Sequence, residues 1–173
     1  MESRFCLKQL TESEVDSIMA FQKEIIAGLP DKTLLRKNTR EMFQQCVGRP
    51  NYTLGVYEGE VLAALGILFD GSGTEEDLSV GLTKFQVKNA MNLKLIAVRE
   101  PYRGNGLQRF LMGRLEDVAV DMGKEYLCAT VSKDNVHSFQ NLEAMGYVVD
   151  HEAEKYGGVT RCVVVKRIGE GRV

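Results

Sequence analysis

Apolar and polar positions alternate along this chain with two periods. Arg4 to Leu10 reads as a short strand. Thr11-Glu12-Ser13-Glu14 is a capping-box pattern, with Thr11 as N-cap and Glu14 reaching back to its amide. Val15, Ile18, Met19, Ile25 and Ile26 then recur at helical spacing until Gly28-Leu29-Pro30. A second, more polar helix is expected over Leu34 to Val47, stopped by Gly48-Arg49-Pro50. Tyr52 to Tyr57 and Val61 to Phe69 are β-rich runs joined as a hairpin at Glu58-Gly59-Glu60. Asp70 to Leu82 is glycine-rich and acidic and reads as a surface loop.

The second half is more strongly patterned. Leu93 to Val98 is apolar on both faces, as in a central strand covered on each side. Leu107, Phe110, Leu111, Leu115, Val118, Ala119 and Met122 form one helical stripe, stopped by Gly123. Glu125 to Val131 is the next strand. A helix over Asn135 to Met145 should turn Val136, Phe139, Leu142 and Met145 inward, with Gly146 at its C-terminal end. Strands at Tyr147 to His151 and Val159 to Arg167 complete the order β-α-α-β-β-β-α-β-α-β-β, an α/β fold with a mixed central sheet flanked by helices.

Composition narrows the class. The 173 residues suit one domain spanning 1–173, and 44% apolar with 27% charged residues is ordinary for a soluble globular chain. A net charge of -2 argues against nucleic acid or an anionic membrane as the main partner. The N-terminal stretch MESRFCLKQL lacks the pattern of a secretory signal, and no apolar run reaches membrane-spanning length. Cys6, Cys46, Cys128 and Cys162 lie far apart without zinc spacing, so four reduced thiols in a cytoplasmic protein are expected, with no metal.

The candidate chemistry lies between the apolar strand and the long helix, at Arg103-Gly104-Asn105-Gly106-Leu107-Gln108. A helix N-terminus presents amides without intrahelical partners and the positive end of the dipole, and glycines let an anion approach them closely. Arg103 adds a full charge able to pair with a phosphate. A tight strand-helix turn, needing glycine only for its dihedral angles, is the other reading, and the turn alone does not decide. A dinucleotide fingerprint would need a third glycine at Arg109, and a P-loop would need Gly-Lys-Ser/Thr.

The stretch VREPYRGNGLQRFLM resembles the acetyl-coenzyme A signature of the GCN5-related N-acetyltransferase (GNAT) superfamily, Arg/Gln-x-x-Gly-x-Gly/Ala after a strand. Val98, Pro101, Arg103, Gly104, Gly106 and Leu111 match; Gln108 stands where glycine or alanine is usual. VSKDNVHSFQNLEAMGY resembles the superfamily's later signature through Asn135, Ser138, Gly146 and Tyr147. The resemblance implies an acyl-CoA N-acyltransferase-like fold and acetyl-CoA (coenzyme A) as cofactor. It also implies a central strand that splays from its neighbour, so that Ile96, Ala97 and Val98 offer backbone groups to the pantetheine arm. The amides from Arg103 through Gly104, Asn105, Gly106 and Leu107 to Gln108 then hold the pyrophosphate, and Asn135 and Ser138 face the coenzyme. Asn135 can also serve as an N-cap, and Asn141 either reaches the coenzyme or points to solvent.

The implied reaction moves an acetyl group from the thioester directly to a primary amine of a small molecule or peptide. Relatives place a glutamate base where this chain has Asn92, and a tyrosine acid where it has Asn141 or Leu142. His137 and His151 read as surface histidines, and Tyr126 and Tyr147 as core rings, so no catalytic residue is named. A non-catalytic acyl-CoA-binding or sensing module of the same fold is the alternative. A longer acyl donor is a further one. No basic, aromatic-studded face suggests RNA. The acceptor falls to the two N-terminal helices and the Asp70–Leu82 loop, whose Glu75, Glu76 and Asp77 can attract a cationic amine or simply be solvated. The oligomeric state stays open, a homodimer included.

Overall fold

The structure is a computed structural model that describes residues 3–169. Its seven-stranded sheet has the order β1-β2-β3-β4-β5-β7-β6. The strands are β1 (Phe5–Gln9), β2 (Tyr52–Glu58), β3 (Val61–Phe69), β4 (Ala90–Val98), β5 (Tyr126–Val131), β6 (Val148–Lys155) and β7 (Val159–Arg167). The helices are α1 (Val15–Ala27), α2 (Arg40–Val47), α3 (Leu107–Asp121) and α4 (Val136–Ala144). Element order follows the expectation. All strand pairs are antiparallel except β4 with β5.

The sheet has an apolar layer on each face. One holds Leu111, Met112 and Leu115 of α3 against Ala64, Leu127 and Val164. The other holds Ile18 and Phe21 of α1 and Phe43 of α2 against Leu65, Ile67 and Leu95. Period-two alternation along the strands, broken where the β2–β3 and β3–β4 registers shift, sends successive side chains to opposite layers. Glycine is required at the β2–β3 turn, where Gly59 has φ +57.

The capping box forms as read: the Thr11 amide donates to Glu14 Oε2 at 2.7 Å. The second helix is shorter than the pattern suggested. Only Arg40–Val47 is α-helical, with Thr39 capping it, and Lys32–Leu34 is a single 3-10 turn. The reason is a competing partner. Buried Gln22 of α1 donates Nε2 to the Asn38 carbonyl at 2.9 Å and accepts the Asn38 amide at 2.7 Å, which fixes the segment in non-helical form. Val136 is 52% exposed rather than inward, because it opens α4 ahead of its buried turn; Leu142 is the buried residue of that helix. Met122 likewise ends α3 exposed. β4 begins three residues before Leu93, at Ala90, and β6 runs four beyond His151, to Lys155.

Candidate functional site

The extra residues at the start of β4 make its contact with β5. Ala90 faces Tyr126, Met91 faces Leu127, and Asn92 faces Cys128. Beyond Asn92 no further pair joins the two strands; β4 continues on β3 and β5 on β7. The fork coincides with a bulge. Ile67 opposes Leu95 and Leu68 opposes Leu93, so Lys94 is the extra residue on β4. A bulge bends its strand and raises the local twist. Backbone groups of Leu93 to Val98 that would serve a parallel neighbour therefore face a gap at the carboxyl ends of two strands, a recurrent ligand position in α/β sheets. Ile96 and Val98 pack their side chains toward α3 and Ala97 toward α1, so their contribution to the gap is main-chain.

A cleft opens through the gap. Its walls include Leu93–Ile96 of β4, Ala129–Val131 of β5, Gln108 and Met112 of α3, Ser138 of α4 and Asn135, which caps that helix. On the α3 side lies the glycine turn. Gly104 and Gly106 have φ +83 and +71, and a Cβ at either would meet nothing within 4 Å. The turn thus faces open space while holding a conformation that favours glycine. Phe110 makes the first intrahelical bond, to the Gly106 carbonyl at 3.0 Å, which leaves the amides of Leu107, Gln108 and Arg109 without a helical partner.

Arg103 differs from the expectation in one respect. Its amide donates to the Glu100 carbonyl at 3.1 Å, closing the 3-10 turn Glu100–Tyr102, so the amides open to an anion begin at Gly104. Its side chain is exposed beside the turn. Asn105 braces the turn by donating to the Tyr102 carbonyl at 2.9 Å. The Asn135 side chain accepts the Ser138 amide at 3.4 Å, so it caps α4 and lines the cleft at once. Gln108 donates to Ser138 Oγ at 3.3 Å and accepts from Asn141 Nδ2 at 2.7 Å, while Arg109 donates to Asn141 Oδ1 at 2.8 Å. Asn141 is thereby committed to α3 rather than pointing to solvent.

The opposite side of the sheet carries a cluster that patterning missed. Lys94, with a side chain 6% exposed, pairs with Glu76 at 2.9 Å. Arg36 binds the same carboxylate through both terminal nitrogens, each at 2.7 Å. The Arg36 guanidinium, opposed by burial and joined by Lys94, holds Glu76 down at about 2. Glu76 is therefore neither freely solvated nor available to an ammonium group. Asp77 accepts from the Ser79 amide and hydroxyl; Glu75 is exposed. Arg36 also lies 4.2 Å over the ring of Tyr156, whose hydroxyl is 3.1 Å from Thr130 Oγ1. Arg161 is buried, and donates to the Thr33 carbonyl at 2.6 Å. The signal in the sequence was a lysine and an arginine inside otherwise apolar strands, but their common destination is set by long-range packing.

Groups able to move a proton are few. Asn92 donates to the Glu76 carbonyl at 2.6 Å, and Leu142 is buried. His137 is exposed. His151 is half-buried and bonds Asp150 Oδ2 at 2.6 Å through Nδ1. Tyr147 is buried, and burial, with Glu116 nearby, pushes its phenol up. Tyr126 is half-buried, with Arg167 6.0 Å from its ring. Burial pushes the Cys128 thiol up to about 12, so it stays protonated and a poor nucleophile. Tyr156 is the phenol among the cleft-lining residues.

A sequence profile of the Acetyltransferase (GNAT) family matches residues 20–147. No curated protein matches the chain. Among solved structures, yncA of Salmonella typhimurium, with its cofactor acetyl-CoA, is 15% identical, covers 99% of this chain and 98% of its own, and superposes with a TM-score of 0.72. The ribosomal-protein-S18-alanine N-acetyltransferase of Escherichia coli is 17% identical, with coverage of 98% and 99% and a TM-score of 0.70. Arabidopsis thaliana NAA60 in complex with a bisubstrate analogue is 13% identical, with coverage of 95% and 98% and a TM-score of 0.74. At these identities the likeness is one of fold.

Proposed function

This chain belongs to the GNAT acetyltransferase family, and on that premise we propose that its domain transfers an acetyl group from acetyl-CoA to a primary amine. One observation carries the reading: β4 and β5 part after the Asn92–Cys128 pair, and the gap leads to a glycine turn with open amides. The residues fit the coenzyme, since the turn leaves room where Cβ atoms would stand and offers the N–H groups that a pyrophosphate needs. Gly104 to Arg109 and the Arg103 guanidinium hold the phosphates; the free edge of Leu93–Val98 receives the pantetheine arm. Asn135 and Ser138 border it from α4.

Bound there, the coenzyme supplies an acetyl thioester already activated toward amines. The chain's own task is then to place the amine, offer backbone N–H groups to developing oxygen charge, and keep water out. The unpaired β4 edge, with Leu95 and Leu142 buried beside it, supports the last two functions. The cationic side chains at the cleft disfavour an ammonium ion, so an amine bound there loses its proton more readily than in water. That effect substitutes in part for a base.

The test is direct. Protein, acetyl-CoA and a panel of amines should release coenzyme A thiol and yield an acetylated product of matching mass. The amide-fixed Asn92 and buried Leu142 favour a second reading, an acyl-CoA-binding module without turnover. Tight coenzyme binding without thiol release for any amine would select it.

A further inference from the structure

The residues that line the cleft include three cations, Arg36, Lys94 and Arg161, and no carboxylate. Glu76, just outside that lining, takes Arg36 and Lys94. Among the described residues, Arg161 has no such counterion. Burial, with Arg36 nearby, works against its charge, the Tyr156 phenol favours it, and no carboxylate contributes. The residue is 6% exposed; among the described residues its buried Nε has no hydrogen-bond partner, and the acceptor its guanidinium meets is the Thr33 carbonyl. A buried cation with unmet donors is costly unless an anion completes it. Arg161 also stands on the α1–α2 side of the sheet, since Thr33 lies between those helices, whereas the glycine turn belongs to α3 on the other side. A phosphate at the turn is therefore not its partner.

We propose that Arg161 recognises a carboxylate on the acceptor, which makes the substrate a small amino acid rather than a simple or polycationic amine. The proposal rests on the acetyltransferase reading and narrows it. The guanidinium fork suits a planar carboxylate in two-point contact. Arg36, 4.2 Å over Tyr156 with Arg161 5.5 Å from the same ring, adds positive potential without giving up Glu76. A carboxylate held here leaves the amino group of the same molecule as the portion free to reach the β4–β5 gap.

The experiment compares matched ligands on the wild-type protein. A panel of L-amino acids, their primary amides, ethanolamine and O-phosphoethanolamine is assayed for thiol release, with thermal shift measured in parallel. The acids should exceed their amides at least tenfold in kcat/KM, through KM, and should alone raise the melting temperature. Arg161→Gln should raise KM for the acids at least tenfold, leave KM for the amides within about twofold even if their kcat falls with the lost cation, and leave coenzyme affinity by calorimetry unchanged. Amides equal to acids in both readouts would overturn the proposal. So would phosphoethanolamine exceeding every amino acid, which would assign the site to phosphate, or an Arg161→Gln loss confined to coenzyme binding. If Arg161→Gln does not fold, the acid–amide comparison decides alone. If no amine reacts, the transferase reading fails, and the thermal shifts still show whether a carboxylate site exists.

Discussion

Glu76 and Arg36, 40 positions apart in the chain, meet in a two-point ion pair with both N–O distances at 2.7 Å. The pair fixes the loop between β3 and β4 against the segment between α1 and α2, and Lys94 joins it from the bulge.

Glu76→Gln should therefore destabilise the fold by about 2 kcal/mol, between the values for exposed and fully buried pairs, since Lys94 loses its counterion in a buried position. The native carboxyl titrates near 2, below the ordinary glutamate value of about 4.3, so its contribution is complete above that ordinary value and lost as pH falls toward 2. Urea titrations at pH 7 and pH 3 should show the difference between wild type and variant shrinking at the lower pH.

Gly106→Val should abolish tight coenzyme binding. A β-branched residue at φ +71 is strained, and its side chain would occupy the open space above the turn. Gly106→Asn, which tolerates that backbone, serves as the folded control. Calorimetry showing wild-type affinity in a folded Gly106→Val protein would remove the phosphate assignment.

The exposed Arg103 should contribute to coenzyme binding through charge alone, because its amide is occupied by Glu100. Arg103→Ala should lose on the order of 1–3 kcal/mol of binding at low salt. Much of that loss should vanish in high salt through screening. A variant that binds like wild type at low salt would leave Arg103 as a turn residue.

Element order, both signatures and the glycine turn were legible because each depends on residues close in sequence. The Leu34–Val47 helix was not, because its early part is held open by Gln22, 16 positions before Asn38. The fork between β4 and β5 was visible only through the family resemblance; the bulge at Lys94 that accompanies it is a matter of register with β3. The charged cluster was invisible for a similar reason. Arg36, Glu76, Lys94 and Arg161 sit in four separate segments, and nothing local announces that they converge.

No base stands out, and the pH profile should reflect that. A lysine-type amine, with a pKa of about 10.4, needs roughly 4–5 kcal/mol to bare its lone pair at neutral pH, and an α-amino group near 8 needs about 1 kcal/mol. kcat/KM should rise with pH, level off near the acceptor's own pKa, and shift when the acceptor is changed. A single inflection near pH 6–7 for every acceptor would reveal a protein base, with His137 and His151 the first to be replaced.

Gln108 has a mechanical consequence beyond its hydrogen bonds to Ser138 and Asn141. The jaws of the fork are two strand–helix arms, β4 with α3 and β5 with α4, joined at the hinge by three residue pairs. Near the mouth, this side chain spans from one arm to the other like a strut. An alanine at 108 would be too short to reach across, and the Arg109–Asn141 bond would remain as the tie between the arms. With glutamine the opening is propped at a set width in advance, so less ordering remains to be done when a ligand arrives.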